Sequence, residues 1–531
     1  MTAPLAGIGT LLRASLRHEG HRFAPWILIA TALSASSVLV YPWLFPETQE
    51  RLAFATAVSA NPALGIVFGP AFDLSTVDGF NAWRSLSLAG FFTALGAINT
   101  VIRSTRGQED SGQAELLASG VLGRSSRLLA GVGLALLGSL AVGVVAGVVT
   151  GFCGGGWQAS LLLGATFTAS GWMFAGLSAV TAQLGYDART AHSLAVGALG
   201  VLFLLRAVAY SLHAPGWSVW VNPLGWITET RPATGDRWWP LFCAVLLVCV
   251  CLVVAFVLQA RRDFGQGVVA PRPGPDRGRV RSTWRLALRL NRGAIVTWSV
   301  AFVALGLVFG FFATSIHDIL REDSAVTAIL AAGAATPDDL VSRFLVTILG
   351  FVGIIAAVPG VQIMLSVRSE EMDNRVEPVL AGAVSRRRYY AGNVVLAFAA
   401  PTLYVLIAGL LIATLATASG IGVTFARVMA QAAATVPAVW TVVAVSVAVV
   451  GARPRLSPAA WVGVLASFAL TLLGPTFKLP DVFLAISPFW HVPSVAGGAA
   501  DLGGLIWVCL ITALMLVVGF SGFGRRDLGR T

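Results

Sequence analysis

The chain has 531 residues, 56% of them apolar and only 11% charged, with a mean hydropathy of +0.80. A soluble domain covers its surface with roughly a quarter charged residues, so this composition excludes a water-soluble globular protein and points to lipid as the solvent. The net charge of +11 is carried by arginines lying between apolar runs, mostly on alternate sides, which reads as a positive-inside bias and not as a nucleic-acid surface.

Arg13, Arg17 and Arg22 precede the first apolar run. Arg13 and Arg17 share one helical face, with Leu12 and Leu16 beside it, which predicts an interfacial amphipathic helix over residues 8–22. The run from Pro25 lacks the short apolar core and cleavage site of a signal peptide and reads as a retained span. A bilayer core takes about 20 apolar residues per helix. Further runs begin near Trp83, Leu128, Ala159, Ala191 and Leu241, then near Ala294, Phe344, Ala391, Ala426, Ala459 and Leu502. Lipid offers no partner for backbone polar groups, so each run is expected to be a helix, about twelve spans in all.

The connections alternate in charge. Arg103, Arg106, Arg124 and Arg127 follow the second run, and Arg368, Arg375 and Arg386 to Arg388 follow the eighth. The other loops carry Glu47, Glu50, Asp73 and Asp78, then Asp318, Glu322, Asp323, Asp338 and Asp339. Both termini are therefore expected in the cytoplasm. The Pro-, Gly- and Arg-rich stretch at 271–281 reads as a linker. The five cysteines show no metal or disulfide spacing.

The chain carries an internal repeat. A shift of 262 positions brings Glu109 onto Glu371, Glu115 onto Glu377, Gly120 onto Gly382 and Arg124 onto Arg386. Asn222-Pro223 is matched by Ser487-Pro488, Arg261-Arg262-Asp263 by Arg525-Arg526-Asp527, and the segment from Leu12 to Arg17 by that from Trp284 to Arg289. Six spans return the chain to its starting side, so the expected fold is all-α, two six-helix halves of parallel topology about a central pathway. The first half is expected over 1–265, with a segment 106–127 between its second and third spans, the linker over 266–283, and the second half over 284–531, with the matching segment at 368–390.

Each of those segments places carboxylates ahead of an arginine: Glu109, Asp110, Glu115 and Arg124, then Glu370, Glu371, Glu377 and Arg386. Topology alone asks only for arginine, so the duplicated acids suggest a docking surface for a cytoplasmic partner; a solvated loop is the alternative. The Arg-Arg-Asp closures read as snorkelling anchors. Within the spans, Arg206 is either a functional charge or an outer-end side chain snorkelling with Tyr210 and His213. Asn99 and Gln362 are intramembrane polar residues suited to interhelical hydrogen bonds, and Phe91, Phe92 and Phe351 are candidate pathway-lining aromatics.

The duplicated Glu-x5-Glu segment, followed by small residues and an arginine, resembles the ABC-2-type permeases of actinobacterial exporters of drugs and polyketide antibiotics, the tetronasin type. The resemblance covers nearly the whole chain and implies a type V ABC exporter fold, with residues 106–127 and 368–390 as coupling segments that dock on an ATPase. The first segment ends Ser-Gly-Val-Leu-Gly-Arg, departing from the family pattern; the second has Pro378 within it and Asn374 where the first has Gly112, so the two sites are expected to be unequal. The chain has no Gly-x4-Gly-Lys-Ser/Thr stretch, and its single lysine is Lys478; a phosphate-cradling loop is excluded. The resemblance therefore implies a permease that is no enzyme and holds no cofactor, a separate P-loop ATPase homodimer carrying ATP and Mg, membrane lipid around the spans, and hydrophobic or amphipathic small molecules as cargo, with no nucleic acid. A proton-coupled twelve-span carrier is the competing class, but that chemistry calls for acids or histidines within the spans, and the runs hold no Asp or Glu; a membrane enzyme needs a clustered site, and the six histidines are scattered.

Overall fold

The computed structural model describes residues 6–59, 68–118, 123, 125–211, 215–263, 265–269, 282–322, 337–382, 384–419, 423–473, 480–495 and 503–527. Among these residues there is no strand, as the demand for internally paired backbone in lipid requires. The chain divides into two compact units, Met1–Gly274 and Pro275–Thr531. Arg124, Gly120, Lys478, His213, Asp323 and the stretch 271–281 lie outside the described residues.

In the first unit, α1 (Ile8–Glu19) has no buried residue and runs into a 3-10 turn, Gly20–Phe23, that leads into α2 (Ala24–Leu44). Pro25 stands in the first turn of α2, where its missing N–H costs nothing. The long helices that follow are α3 (Val77–Ile102), α4 (Ser126–Phe152), α5 (Trp157–Leu184), α6 (Ala188–Ser211) and α7 (Pro240–Arg261). Helix α5 is the centre of the unit, packed on α3, α4, α6 and α7. Its approach to α4 depends on paired glycines: a Cβ at Gly143 would lie 2.2 Å from the Gly164 carbonyl oxygen, and one at Gly164 would lie 2.3 Å from that of Gly143. Small residues at such crossings let helix backbones meet where lipid supplies no hydrophobic drive. Asp78, in the first turn of α3, accepts from the Gly156 amide at 2.9 and 3.0 Å and so fixes the start of α5.

The second unit contains α8 (Thr283–Glu322), α9 (Pro337–Met372), α10 (Arg386–Ala418), α11 (Phe425–Ala452) and α12 (Gly503–Arg525). Helix α11 packs on α9, α10 and α12, and a Cβ at Gly451 would lie 2.2 Å from the Gly519 carbonyl oxygen of α12. The basic segment from Trp284 to Arg292 has no elbow like that of Gly20–Phe23: it forms the first turns of the continuous α8. The first half places Pro25 just after its bend; on the register that pairs Arg13 with Arg285, the second half has Thr297 there.

Eleven helices among the described residues are long and apolar enough to cross a membrane. They correspond to every expected run except the one from Ala459. There the chain is divided into a 3-10 segment Pro454–Trp461, a short α-helix Val462–Phe468 and a π-helical turn Ala469–Leu473. Pro454 and Pro458 deny this stretch two backbone donors, and Leu456 departs from helical geometry at φ −94°, ψ 24°, so apolarity persists where helical regularity does not.

Candidate functional site: buried carboxylate clamps beneath acidic turns

At its basic end, α3 continues into a π-helical turn, Arg103–Gly107, and a single helical turn, Gln108–Asp110. π-Turns of this kind re-aim side chains and recur at functional sites. Here the turn directs Arg106 inward: it is fully buried, and its Nη1 donates to Glu109 Oε2 at 2.8 Å. Arg127, from the first turn of α4, donates from Nη2 to Glu109 Oε1 at 2.8 Å. Arg262, just past α7, donates from Nη2 to Oε1 at 2.9 Å and from Nη1 to Oε2 at 3.1 Å. Both carboxylate oxygens are thus filled, and only 3% of the Glu109 side chain is exposed.

Three guanidiniums around one carboxylate leave positive charge in excess, and backbone carbonyls at the adjoining helix end meet it. Arg106 donates from Nε to the Ala182 carbonyl and from Nη2 to that of Gln266 at 2.8 Å. Arg262 donates from Nε to Gln183 Oε1 at 2.6 Å and from Nη1 to the Gln266 carbonyl at 2.8 Å. Ala182 and Gln183 lie in the last turn of α5, the negative end of its dipole. The clamp therefore ties the ends of α3, α4, α5 and α7 to one side chain.

The second unit holds a similar clamp at the end of α9. Arg368 Nη1 donates to Glu371 Oε2 at 3.2 Å, and Arg526 Nη2 donates to Glu371 Oε1. Arg526 lies 4.9 Å over the Phe523 ring, and its carbonyl accepts from Arg386 Nη1 at 2.7 Å. Arg368 stands 262 positions after Arg106, and Arg526 stands 264 after Arg262. Where the first clamp has Arg127, the second has Tyr389, whose hydroxyl donates to Glu370 Oε2 at 2.7 Å. The second carboxylate thus meets one guanidinium fewer.

Beyond each clamp the chain turns through a left-handed residue, Gly112 at φ 74° and Asn374 at φ 57°. Asparagine is among the few side chains that enter this region readily, so this sequence difference preserves the turn. A short helix follows each, Gln113–Ala118 and Val376–Leu380. Ala114 and Val376 are buried beneath them, while Glu115 and Glu377 are exposed. Asp110 is exposed as well, and its Oδ2 accepts from the Ala188 amide at 2.7 Å, capping α6.

The acids that look equivalent in sequence therefore divide in two. Glu109 and Glu371 are internal ties; Glu115 and Glu377 face outward. Charge alternation marks Arg106, Arg127 and Arg368 only as topology signals, although Arg106 and Arg368 obey the same 262-residue shift as the acids. Arg262 and Arg526, expected to snorkel, instead bind carboxylates.

Among the expected pathway residues, Phe91 lies 6.0 Å from Phe92 and 5.4 Å from Phe203 between ring centres. Arg206 is 3% exposed: its guanidinium lies 4.7 Å over Phe203, Nη1 donates to Ser87 Oγ, and Nε and Nη2 have no partner among the described residues. It is an enclosed charge and does not snorkel. Asn99 Oδ1 lies 2.7 Å from His192 Nε2, joining α3 to α6. In the second unit, Gln362 Oε1 accepts from Trp298 Nε1 at 3.3 Å, and Phe351, on the same helix, is half-buried.

The family model described as "Multidrug efflux system permease Rv1217c, C-terminal domain" matches residues 52–258 and 280–524. The multidrug efflux system permease protein Rv1217c of Mycobacterium tuberculosis is 35% identical to this chain, with 98% of this chain and 94% of that protein aligned.

Proposed function

Because the chain belongs to the family of the multidrug efflux permease Rv1217c, we propose that it is the membrane-spanning subunit of an ATP-driven exporter of hydrophobic and amphipathic compounds. It comprises two six-span halves of parallel topology in a bacterial plasma membrane, with both termini cytoplasmic. ATP and Mg bind a separate P-loop ATPase, a homodimer beneath the permease, and the halves alternate in access as that motor closes.

The observation that carries this reading is the pairing of a buried clamp with an exposed acidic helix in each unit. A load applied at Glu115 or Glu377 passes through one left-handed residue into Glu109 or Glu371, and from there into guanidiniums rooted at the ends of other long helices. Asp110 extends the first docking surface to α6, and Arg386 supplies a basic rim to the second; Arg124, its counterpart in sequence, lies outside the described residues. The clamps turn a local push into a displacement of several helices. Phe91, Phe92, Asn99, Arg206, Phe351 and Gln362 contribute to the pathway in the two halves.

The test is reconstitution with the nucleotide-binding subunit. Glu115→Arg together with Glu377→Arg should leave the purified permease helical and monodisperse, and abolish co-purification of the ATPase or substrate-stimulated ATP hydrolysis. Transport that survives this double change and follows a proton gradient instead refutes the proposal.

A further inference from the structure

The first unit contains a cleft of about 760 Å³ that the clamps do not use. It lies at the basic end, between the α1–α2 elbow, the last turns of α3 and the first turn of α6. Its volume falls within the ~300–1,000 Å³ usual for small-molecule sites. Trp26, Pro25 and Ile102 supply an apolar wall, and the Asn99–His192 hydrogen bond crosses its surface.

The charge of the cleft is one-sided. Arg22, Arg103 and Arg189 line it against the single acid Glu19, and none of these four forms an ion pair among the described residues. Arg22 Nη1 is buried and has no hydrogen-bond partner among the described residues. An unsatisfied buried guanidinium nitrogen is costly and calls for an acceptor. By contrast Arg106, one residue from the cleft-lining Gly107, has each of its three guanidinium nitrogens engaged, by Glu109 and two carbonyls. The three cleft arginines are thus a distinct set, carried on three different elements and open to a ligand.

We propose that this cleft binds amphipathic anions, the acidic head (a phosphate or carboxylate) taken by Arg22, Arg103 and Arg189 and the apolar body laid against Trp26 and Ile102. A planar guanidinium fork matches both heads bidentately. The head can come from an anionic membrane lipid or from a soluble acidic amphiphile, because the recognised chemistry is the same. The site rests on the permease reading for its place in transport, where it is the point at which acidic cargo enters. Binding itself needs neither ATP nor the ATPase.

The full chain in phosphatidylcholine nanodiscs is titrated with a dansyl-labelled long-chain fatty acid, its uncharged methyl ester and a trimethylammonium analogue, with dansyl fluorescence as the readout. The acid is expected to bind at least tenfold more tightly than either analogue. Arg22→Gln with Arg189→Gln should remove that preference, while Arg13→Gln with Arg17→Gln, an equal loss of charge on the exposed face of α1, should retain it. Helical circular dichroism and monodispersity of both double variants separate lost recognition from lost fold. Replacing part of the phosphatidylcholine with phosphatidylglycerol identifies the source: competition marks a lipid headgroup site, and undiminished binding marks a site for soluble amphiphiles. Equal binding of the three probes, or unchanged preference in the Arg22 and Arg189 variant, overturns the proposal. Failure of the parent chain to support ATP-driven transport with its nucleotide-binding subunit, alongside intact charge-selective binding, counts against the exporter reading alone.

Discussion

Glu109→Gln is the sharpest probe of the first clamp. The substitution keeps size and one acceptor oxygen but removes the charge that three guanidiniums share at 2.8 to 2.9 Å. Arg106 and Arg262 retain their bonds to Ala182, Gln183 and Gln266, so the loss is mainly Coulombic. Charge centres about 4 Å apart attract by ~4 kcal/mol at an effective dielectric near 20. Repulsion among the arginines cancels part of this in the native clamp and becomes unopposed in the variant. Removing one partner of a buried ion pair costs ~3–5 kcal/mol, and with the carboxylate 3% exposed we expect Glu109→Gln to reach that range. Glu371→Gln should cost less, because Arg368 and Arg526 are each 13% exposed and only two guanidiniums are stranded. Equilibrium unfolding in bicelles, followed by tryptophan fluorescence, measures both, and a cycle with Arg262→Gln should show the two changes to be non-additive by ~0.5–3 kcal/mol. Equal, additive effects below ~1 kcal/mol, the range of exposed pairs, would falsify the clamp as a buried, charge-coupled unit.

Other outcomes follow from the same geometry. Gly143→Leu should separate α4 from α5 and destabilise the first unit by at least the ~1–3 kcal/mol typical of overpacking, because even a Cβ there meets the Gly164 carbonyl at 2.2 Å; thermal unfolding of the purified chain checks this. Asn374→Gly should be tolerated and Asn374→Val should lower stability by ~1–3 kcal/mol, since the residue sits at φ 57° and a β-branched side chain resists that region. Asp110→Ala should loosen the start of α6 by roughly 1 kcal/mol through loss of its cap on Ala188, read as faster amide exchange near residue 188. Arg206→Met should fold at least as stably as the parent, because among the described residues the buried guanidinium loses only its bond to Ser87 and its contact with Phe203, while Nε and Nη2 have no partner; retained stability with altered drug export assigns Arg206 to the pathway.

Much of this architecture was legible before any coordinates. Hydropathy locates the long helices because unpaired backbone is intolerable in lipid, and the 262-residue shift pairs Glu109 with Glu371 and Gly112 with Asn374 before either turn is seen. Periodicity could not show that the run from Ala459 yields only the short helix Val462–Phe468 and a π-turn, entered from a 3-10 segment that holds Pro454 and Pro458. Nor could it show that the elbow at Gly20–Phe23 has no counterpart in α8. Composition reports how apolar a segment is, whereas continuity depends on individual backbone donors.

By itself the sequence determined a polytopic helical membrane chain, its basic and acidic connections, and two matched acidic segments. Only the tertiary structure decided what each acid does. Glu109 and Glu115 are the same residue type six positions apart, yet one is enclosed by Arg106, Arg127 and Arg262 while the other faces outward. Two of those arginines come from more distant parts of the chain, Arg127 by 18 positions and Arg262 by 153. A local pattern records which charges are present; which of them are buried together is settled when helices remote in sequence bring their ends to one point.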